Sequence, residues 1–208
     1  MNIITDYFSH IFSTSNPNTF DDTLMGIDRV VTENMNEVLD RESNETEVKE
    51  ALFNMHPTKA PGPDGFHALF FQTFWDIVGR DVIALVKNWW RGNVRLDDIR
   101  TCISLIPKCN DPKMMTKFRP ISCCNVIYKV ISKVLANKLK SFLGDIILLN
   151  QSAFIPKRLI TDNALIAFEV FHAMKRNSSP NNSSFALKLD MSKAYDRIEW
   201  CFLERVML

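Results

Sequence analysis

The sequence predicts an α+β fold in which helices greatly outnumber strands. Apolar residues recur at the three- and four-residue spacing of amphipathic helices over most of the chain. Only three short stretches read as strands, and they are interleaved with the helices without regular alternation. The chain has 208 residues, of which 46% are hydrophobic, and this is enough to bury a sizeable core.

Residues 1–50 form a leader that we expect to be helical and acidic. Helical spacing of apolar residues covers residues 2–14 and about 28–40. A third helix is expected to start at Ser43, because a hydroxyl residue followed by threonine and glutamate is typical of a helix N-terminus.

Charge is distributed unevenly along the chain. Residues 1–56 carry 3 basic against 11 acidic side chains, a net charge of −8, whereas residues 57–208 carry 22 against 13, a net charge of +9. A basic segment behind an acidic leader suggests a polyanionic partner for the larger part. The alternative is an ordinary solvated surface.

Residues 59–65, KAPGPDG, give the clearest turn signal in the sequence. Two prolines fix φ and two glycines allow conformations closed to other residues, so we predict a defined turn. The aromatic-rich residues 67–90 then predict two helices broken near Gly79. Residues 101–106 predict a strand, and residues 118–121 a short extended piece whose proline suits a sheet edge.

Two helices are predicted in the middle of the chain. Residues 124–143 show the strongest periodicity, with Lys129, Lys133 and Lys140 on the outer face. Residues 160–174 predict the next helix. The apolar residues expected to face inward from the first of these are Val126, Ile127, Val130, Ile131, Val134, Leu135 and Leu139.

Residues 185–190 predict a strand that ends at a carboxylate, Asp190, before a helix over residues 193–206. Strand side chains alternate, so Asp190 lies on the face opposite to the apolar residues Phe185, Leu187 and Leu189. A carboxylate that projects from a strand end into a cleft suits two-metal phosphoryl transfer, because Mg²⁺ takes oxygen ligands. The alternative is that Asp190 only caps the following helix.

Residues 189–200, LDMSKAYDRIEW, resemble motif A, the first catalytic motif of non-LTR retrotransposon reverse transcriptases. The similarity extends in continuous order over roughly residues 45–208. Five further segments resemble motifs of the same family. They are KAPGPDG at 59–65, LIPK at 105–108, FRPIS at 118–122, YKVISK at 128–133, and QSAF at 151–154 with Arg158, Asp162 and Asn163. The resemblance implies that residues 51–208 form helix-rich fingers and the start of a right-hand polymerase palm, which is truncated.

The resemblance also implies roles for individual residues of motif A. Asp190 would be the first carboxylate that binds both Mg²⁺ ions, with the backbone carbonyl of Met191 as a further ligand. Tyr195 would lie under the sugar of the incoming nucleotide and exclude a 2′-hydroxyl. Core packing of Tyr195 with Ile198 and Phe202 is the structural alternative, and it is compatible with this role.

Two cations match the family's triphosphate-gripping positions, Lys108 and Arg119. The chemistry fits, because in-line transfer builds charge on phosphoryl oxygens and a guanidinium can contact two of them. A solvated cation on a hairpin is the alternative for Lys108.

Four further residues are candidates for contact with nucleic acid. Lys129 and Lys133 could follow template phosphates without reading sequence, although a basic outer helix face is often only solvated. Arg158 and Asn163 resemble template-side residues of the family. By this resemblance the partners are an RNA template, a DNA primer and deoxynucleoside triphosphates.

The sequence departs from the family at one essential point. A working enzyme needs a second carboxylate motif, Tyr/Phe-x-Asp-Asp, and no Asp-Asp pair follows Asp190. One carboxylate cannot hold two Mg²⁺ ions about 4 Å apart. We therefore expect this polypeptide alone to be inactive. The alternatives are a non-catalytic nucleic-acid-binding remnant and an inert helical interaction protein.

Other classes of protein are disfavoured by composition. The five cysteines form no CxxC pair and no cluster with histidine, so they are expected to be reduced thiols and a zinc site is not expected. The sequence contains no run of 18 apolar residues, so it predicts no membrane span, and the N-terminus does not resemble a signal peptide. The sequence does not reveal the cellular compartment.

Overall fold

The computed structural model describes residues 2–17, 19–94, 101–177 and 185–208. The chain divides into two compact units, which are described one at a time below. The first unit combines Met1–Val30 with Lys157–Leu208, and the second unit is Val31–Pro156. The fold is α+β, as the sequence predicts. None of the described helices combines the length and the apolarity that a membrane crossing needs.

Helices dominate both units, and the described strands form one antiparallel pair. In chain order the elements are α1 (Asn2–Phe12), α2 (Asp21–Leu24), α3 (Glu33–Asp40), α4 (Glu45–Phe53), α5 (Ala68–Thr73), α6 (Trp75–Trp90), β1 (Cys102–Pro107), β2 (Phe118–Cys123), α7 (Val126–Lys140), α8 (Leu143–Ile146), α9 (Ile160–Asn177) and α10 (Trp200–Met207). Two short 3₁₀ turns, Met115–Lys117 and Ala194–Arg197, precede β2 and α10.

The core of the second unit lies where α4, α6 and α7 pack together. Its buried residues are Val48, Ala51, Leu52, Ala68, Val82, Val86, Val126, Val130, Ile131 and Val134. The periodicity of residues 124–143 therefore predicted the buried face of α7 correctly for four of its seven apolar positions. Leu135 was expected to face inward but is 40% exposed. It lies beyond the edge of the stripe that α4 and α6 cover.

Gly79 does not interrupt a helix, contrary to the sequence prediction. The break lies at Phe74, where the backbone (φ −101°, ψ 25°) leaves the helical region between α5 and α6. Gly79 is buried inside α6, and a Cβ atom there would lie 2.8 Å from Cε2 of Trp75. Glycine is therefore needed at this position because the Trp75 ring packs across the helix backbone.

The N-terminus of α4 confirms the predicted helix start to within one residue. Asn44, not Ser43, is the N-cap residue: its side chain accepts a hydrogen bond from the amide of Glu47 at 2.9 Å. The Glu47 carboxylate accepts one from the Asn44 amide at 2.9 Å in return, which completes a capping box. Ser43 is instead 2% exposed. The helix expected over about 28–40 covers only Glu33–Asp40, where Thr32 caps it.

A buried lysine fastens the end of α3 to α6 and α7. Lys138 is 7% exposed, and its ammonium lies 4.1 Å from the centroid of the Trp90 ring. It donates hydrogen bonds to the carbonyl oxygens of Leu39, at 3.4 Å, and of Arg41. These hydrogen bonds satisfy carbonyl groups that a helix C-terminus leaves without partners.

β1 and β2 pair antiparallel over six residues each, and each strand contains a proline. The Lys108 amide donates to the Lys117 carbonyl at 2.8 Å, so this pair, just beyond the strands, is hydrogen-bonded. Hydrogen-bonded and non-hydrogen-bonded pairs alternate along an antiparallel ladder. Counting back along the register places Pro107 and Pro120 in non-hydrogen-bonded pairs. Neither proline therefore removes a bond from the hairpin.

The first unit differs from the sequence prediction around motif A. Residues 185–190 were predicted as a strand, but they adopt no regular secondary structure. A strand exists only through hydrogen bonds to a neighbour, and no described segment pairs with this one. The helix predicted over 193–206 is divided into the 3₁₀ turn Ala194–Arg197 and α10. The predicted helix over 160–174 is confirmed as α9, which contains no buried residue.

Candidate nucleotide and metal site

The motif A candidates lie on the exposed surface of the first unit. Asp190 is exposed, Met191 is 64% exposed and Tyr195 is 93% exposed. The alternative in which Tyr195 packs in a core is therefore wrong. Asp190 also does not cap a helix, because Lys193 is the N-cap residue of the next helical turn and α10 begins later. Neither side chain therefore has the structural role that was the alternative to a functional one: Tyr195 does not pack in a core, and Asp190 does not cap a helix.

The opposite side of motif A is fastened to the leader by Lys193. This residue adopts a left-handed backbone conformation (φ 54°, ψ 44°) between Asp190 and Tyr195. Its ammonium lies 4.7 Å from the ring centroids of both Tyr7 and Phe8 in α1. That nitrogen is buried, and within the described residues it has no hydrogen-bond acceptor. The ammonium is therefore stabilised by cation–π attraction to these two rings.

Glu199 makes the second contact between motif A and the leader. Its carboxylate accepts hydrogen bonds from the Thr14 hydroxyl at 2.6 Å, the Ser15 hydroxyl at 2.7 Å and the Ser15 amide at 2.9 Å. These hydrogen bonds, with that from Thr14 the strongest, lower the pKa of Glu199 below its ordinary value. The contact of Glu199 with the leader is therefore structural.

The described residues do not form a complete metal site. Within the part of the chain that the structure describes, no three histidine, cysteine, aspartate or glutamate side chains come together in a group able to hold a metal ion. Asp190 supplies hard oxygen donors, as Mg²⁺ prefers, but one carboxylate falls short of the ligand set that two-metal chemistry requires. No catalytic step can therefore be assigned to these residues with a metal.

The triphosphate candidates lie on the hairpin of the second unit. Arg119 is exposed in β2, directly opposite Ile106 in β1, so these two side chains share one face of the ladder. Lys108 follows β1 and is exposed, and its ammonium donates to the Thr116 carbonyl at 3.1 Å. One donor of Lys108 is thus used locally, whereas two remain to meet an anion.

The two lysines proposed to follow template phosphates differ in their surroundings. Lys133 is exposed on α7, as the periodicity predicts. Lys129 is half-buried, and its ammonium donates to the Ala60 carbonyl at 2.6 Å. This bond fastens the turn over residues 59–65 to α7. The same turn approaches the helix so closely that a Cβ on Gly62 would overlap Asn125.

The candidate residues are divided between the two units. Arg158 is half-buried just before α9, and Asn163 is exposed in its first turn, so both belong to the first unit with Asp190, Met191 and Tyr195. The second unit carries Lys108, Arg119, Lys129 and Lys133. Five of the nine predicted residues thus belong to the first unit and four to the second.

Sequence reasoning missed three residues with specific contacts, Lys138, Lys193 and Glu199. Lys138 had a usable signal, because it lies four residues after Val134 on the buried stripe of α7. Lys193 and Glu199 had no local signal that could have revealed their partners. Those partners lie in the leader, at the other end of the chain.

Comparisons with known proteins agree with the motifs. Residues 106–207 match the family model described as reverse transcriptase (RNA-dependent DNA polymerase). The chain is also similar to the Transposon TX1 uncharacterized 149 kDa protein of Xenopus laevis, with 34% identity over 175 residues. That alignment covers 84% of this chain but 13% of the relative, so the chain spans a small part of that protein's length.

The matched region contains Lys108 and Arg119 of the hairpin, helix α7, and motif A with Asp190 and Tyr195. The family implies a divalent metal cofactor, a nucleic-acid template and nucleotide substrates. The predicted resemblance is thereby confirmed. The chain belongs to the reverse transcriptase family, as a segment of the non-LTR retrotransposon type.

Proposed function

We propose that residues 51–208 supply the nucleotide-gripping fingers and the first carboxylate motif of an RNA-directed DNA polymerase. The partners would be an RNA template, a DNA primer and deoxynucleoside triphosphates, and the metal would be Mg²⁺. The observation that carries the proposal is the match of residues 106–207 to the reverse transcriptase family, within which the hairpin cations and motif A are both exposed.

Arg119 and Lys108 are proposed to bind the triphosphate. Arg119 is exposed on the face of the hairpin that it shares with Ile106, and its planar guanidinium can contact two phosphate oxygens at once. Lys108 keeps two donors beyond its bond to Thr116. Together they would place two positive charges where triphosphate oxygens carry negative charge.

Motif A is proposed to contribute one metal ligand set and a sugar contact. Asp190 and the Met191 carbonyl would be two of the oxygen ligands of Mg²⁺, and further carboxylates are needed to complete the site. Tyr195, at 93% exposure, presents its whole ring to a nucleotide sugar. An aromatic ring below the sugar would clash with a 2′-hydroxyl and favour deoxynucleotides.

We expect this polypeptide to bind nucleotides but not to synthesise DNA. We expect a fluorescent deoxynucleoside triphosphate to bind in the presence of Mg²⁺, and Arg119→Ala to weaken that binding at least about tenfold, equivalent to 1.4 kcal/mol. Lys113→Ala is the matched control, because this exposed cation lies between the same two strands but 3.5 Å from Asp111. Equal effects of the two substitutions would contradict the assignment of Arg119.

Primer extension with an RNA template, a DNA primer and Mg²⁺ is expected to give no product. The reason is that Asp190 and the Met191 carbonyl fall short of the ligands that two Mg²⁺ ions need, and the described residues form no group of three side chains that could hold a metal ion. Extension that Asp190→Ala abolishes would refute the proposed inactivity while supporting the role of Asp190. Extension that persists in Asp190→Ala would indicate a contaminating polymerase and would support neither.

A second candidate is a nucleic-acid-binding segment without catalysis. It is favoured by the net charge of +9 over residues 57–208. Such binding would weaken steeply with salt, because it releases counterions from the phosphates. Affinity for an RNA–DNA hybrid that falls with Lys133→Met but is unchanged in Asp190→Asn would support this candidate. A chain that binds neither nucleotides nor nucleic acid would instead fit an inert interaction protein.

A further inference from the structure

The chain around motif A has two sides with different neighbours. Asp190 and Tyr195 face solvent, whereas Lys193, which lies between them in sequence, directs its ammonium against the rings of Tyr7 and Phe8. A buried cation without a hydrogen-bond acceptor in the described residues depends on those rings for its stabilisation. The position of Lys193 is thus coupled to the position of α1.

The 3₁₀ turn that carries Tyr195 is held at both of its ends. Lys193 precedes the turn and contacts α1, and Glu199 follows it and accepts three hydrogen bonds from Thr14 and Ser15. Both anchors therefore lead to one short stretch of the leader, residues 7–15. A segment fastened at two closely spaced points has few orientations left for the residues between them.

Two weaker contacts continue the same surface beyond the turn. The rings of Phe20 and Phe202 lie 5.4 Å apart, and Arg205 pairs with Asp21 at 3.7 Å. Among the described residues of the first unit, Phe8 is the most buried apolar side chain, at 7% exposure. The leader thus supplies much of what holds α10 and the turn before it in place.

We propose that Lys193 and Glu199 are positioning residues, through which the leader fixes the orientation of Asp190 and Tyr195. The leader would then be an integral part of the candidate nucleotide site and not only a connection to other segments. This inference rests on the proposed role of Asp190 and Tyr195 in nucleotide binding. The contacts themselves involve neither of those side chains, so the mechanical part can be tested without a nucleotide.

Two independent readouts are available on the intact 208-residue chain. The chain has three tyrosines, so 3-fluorotyrosine labelling gives three ¹⁹F signals, with Tyr7 at the contact and Tyr128 in the other unit as an internal reference. The Asp196 amide donates to the Lys193 carbonyl at 3.0 Å, so its hydrogen-exchange rate reports the order of the turn itself.

We expect Lys193→Met to shift the Tyr7 signal and to accelerate exchange at Asp196, leaving Tyr128 unchanged. Lys193→Arg, which keeps a cation for the rings, should restore both readouts toward the wild type. Lys188→Met is the charge-matched control, because Lys188 is exposed in the segment just before Asp190. A role of Lys193 in packing alone would predict that methionine is tolerated better than arginine, and that order would overturn the proposal.

A leader-side variant keeps the test decisive if Lys193→Met unfolds the first unit. Thr14→Val with Ser15→Ala removes both hydroxyl donors to Glu199 without touching motif A. We expect it to accelerate exchange at Asp196. A shifted Tyr7 signal combined with wild-type exchange at Asp196 would show that the leader detaches without releasing the turn, and would refute the inference. Failure of nucleotide binding in the wild type would count against the proposed function only.

Discussion

The ammonium of Lys129 lies 2.6 Å from the carbonyl oxygen of Ala60, and this bond joins α7 to the turn over residues 59–65. The basic outer face of α7 suggested contact with template phosphates for this lysine. Its geometry instead gives it an intramolecular partner, close to the point where Gly62 meets Asn125. The turn and the first part of α7 thus behave as one packed element, whereas Lys133 and Lys140 on the same face are exposed.

Replacement of Lys129 and Lys133 by methionine should separate these roles. Lys129→Met is expected to lower the free energy of unfolding of the second unit by about 1 kcal/mol, because it leaves the Ala60 carbonyl without its donor. Lys133→Met, at an exposed position, should change it by less than about 0.5 kcal/mol. Urea unfolding followed by fluorescence of Trp75, Trp89 and Trp90 measures both. Equal losses would contradict the structural role of Lys129.

Two glycines in helices should respond in opposite ways to alanine. Gly79→Ala is expected to destabilise the second unit by about 1 to 3 kcal/mol, because the new Cβ would lie 2.8 Å from the Trp75 ring. Gly144→Ala meets no atom within 4 Å, so it should stabilise α8 by up to about 1 kcal/mol through helix propensity. Thermal unfolding of the two variants beside the wild type gives the comparison. A stabilising Gly79→Ala would show that the Trp75 ring moves aside freely.

Lys138 should give the second unit an alkaline dependence of stability. Burial lowers the pKa of Lys138 below its ordinary value of 10.5, so the folded chain binds fewer protons than the unfolded chain as the pH approaches 10.5. The free energy of unfolding of the wild type should therefore rise with pH, relative to Lys138→Met, across the alkaline range below 10.5. Denaturation curves at a series of alkaline pH values measure this difference.

At neutral pH, Lys138→Met should be destabilising by about 1 to 3 kcal/mol, because the carbonyls of Leu39 and Arg41 lose a donor. Methionine keeps an unbranched apolar stem against Trp90, so the loss reports the hydrogen bonds together with the contact of the ammonium with the Trp90 ring. A stability difference that stays constant with pH would mean that the ammonium of Lys138 reaches solvent.

The pair between Glu42 and Arg91 should give a dependence of the same sign in the acid range, with stability rising as the pH rises. Two hydrogen bonds from Arg91, at 2.9 and 3.0 Å, lower the pKa of Glu42 below its ordinary value of 4.5. The stabilisation is therefore present above pH 4.5 and is lost as the pH falls through the lowered pKa. Glu42→Gln should remove this dependence, and Arg91→Lys should reduce it because the two-pronged contact is lost. Urea midpoints measured from neutral pH downward, at low salt, test the sign.

Helical periodicity predicted most of the second unit because each of its main helices buries one apolar face in the shared core. Gly79 is the exception. A glycine inside a helical pattern can mark either a helix break or a close approach of another group to the backbone, and the position of the Trp75 ring shows that Gly79 is the second case. The break at Phe74 has no glycine or proline to announce it.

The candidate site was predictable as a motif but not as a geometry. The order of residues 189–200 identified the family, since it depends on local sequence alone. The strand predicted up to Asp190 failed, because a strand needs a hydrogen-bonded neighbour that no described segment provides. The contacts of Lys193 and Glu199 were invisible for a similar reason, since their partners lie in the distant leader.

The two prolines of the hairpin have a consequence for how this protein meets other chains. Each lies in a non-hydrogen-bonded pair, so its nitrogen faces away from the partner strand, toward the outer edge where an additional strand would seek a donor. Pro107 therefore offers no N–H donor on the outer edge of β1, and Pro120 offers none on the outer edge of β2. Both edges of the ribbon therefore lack one of the donors that an added strand would use, which disfavours templated growth into larger sheets.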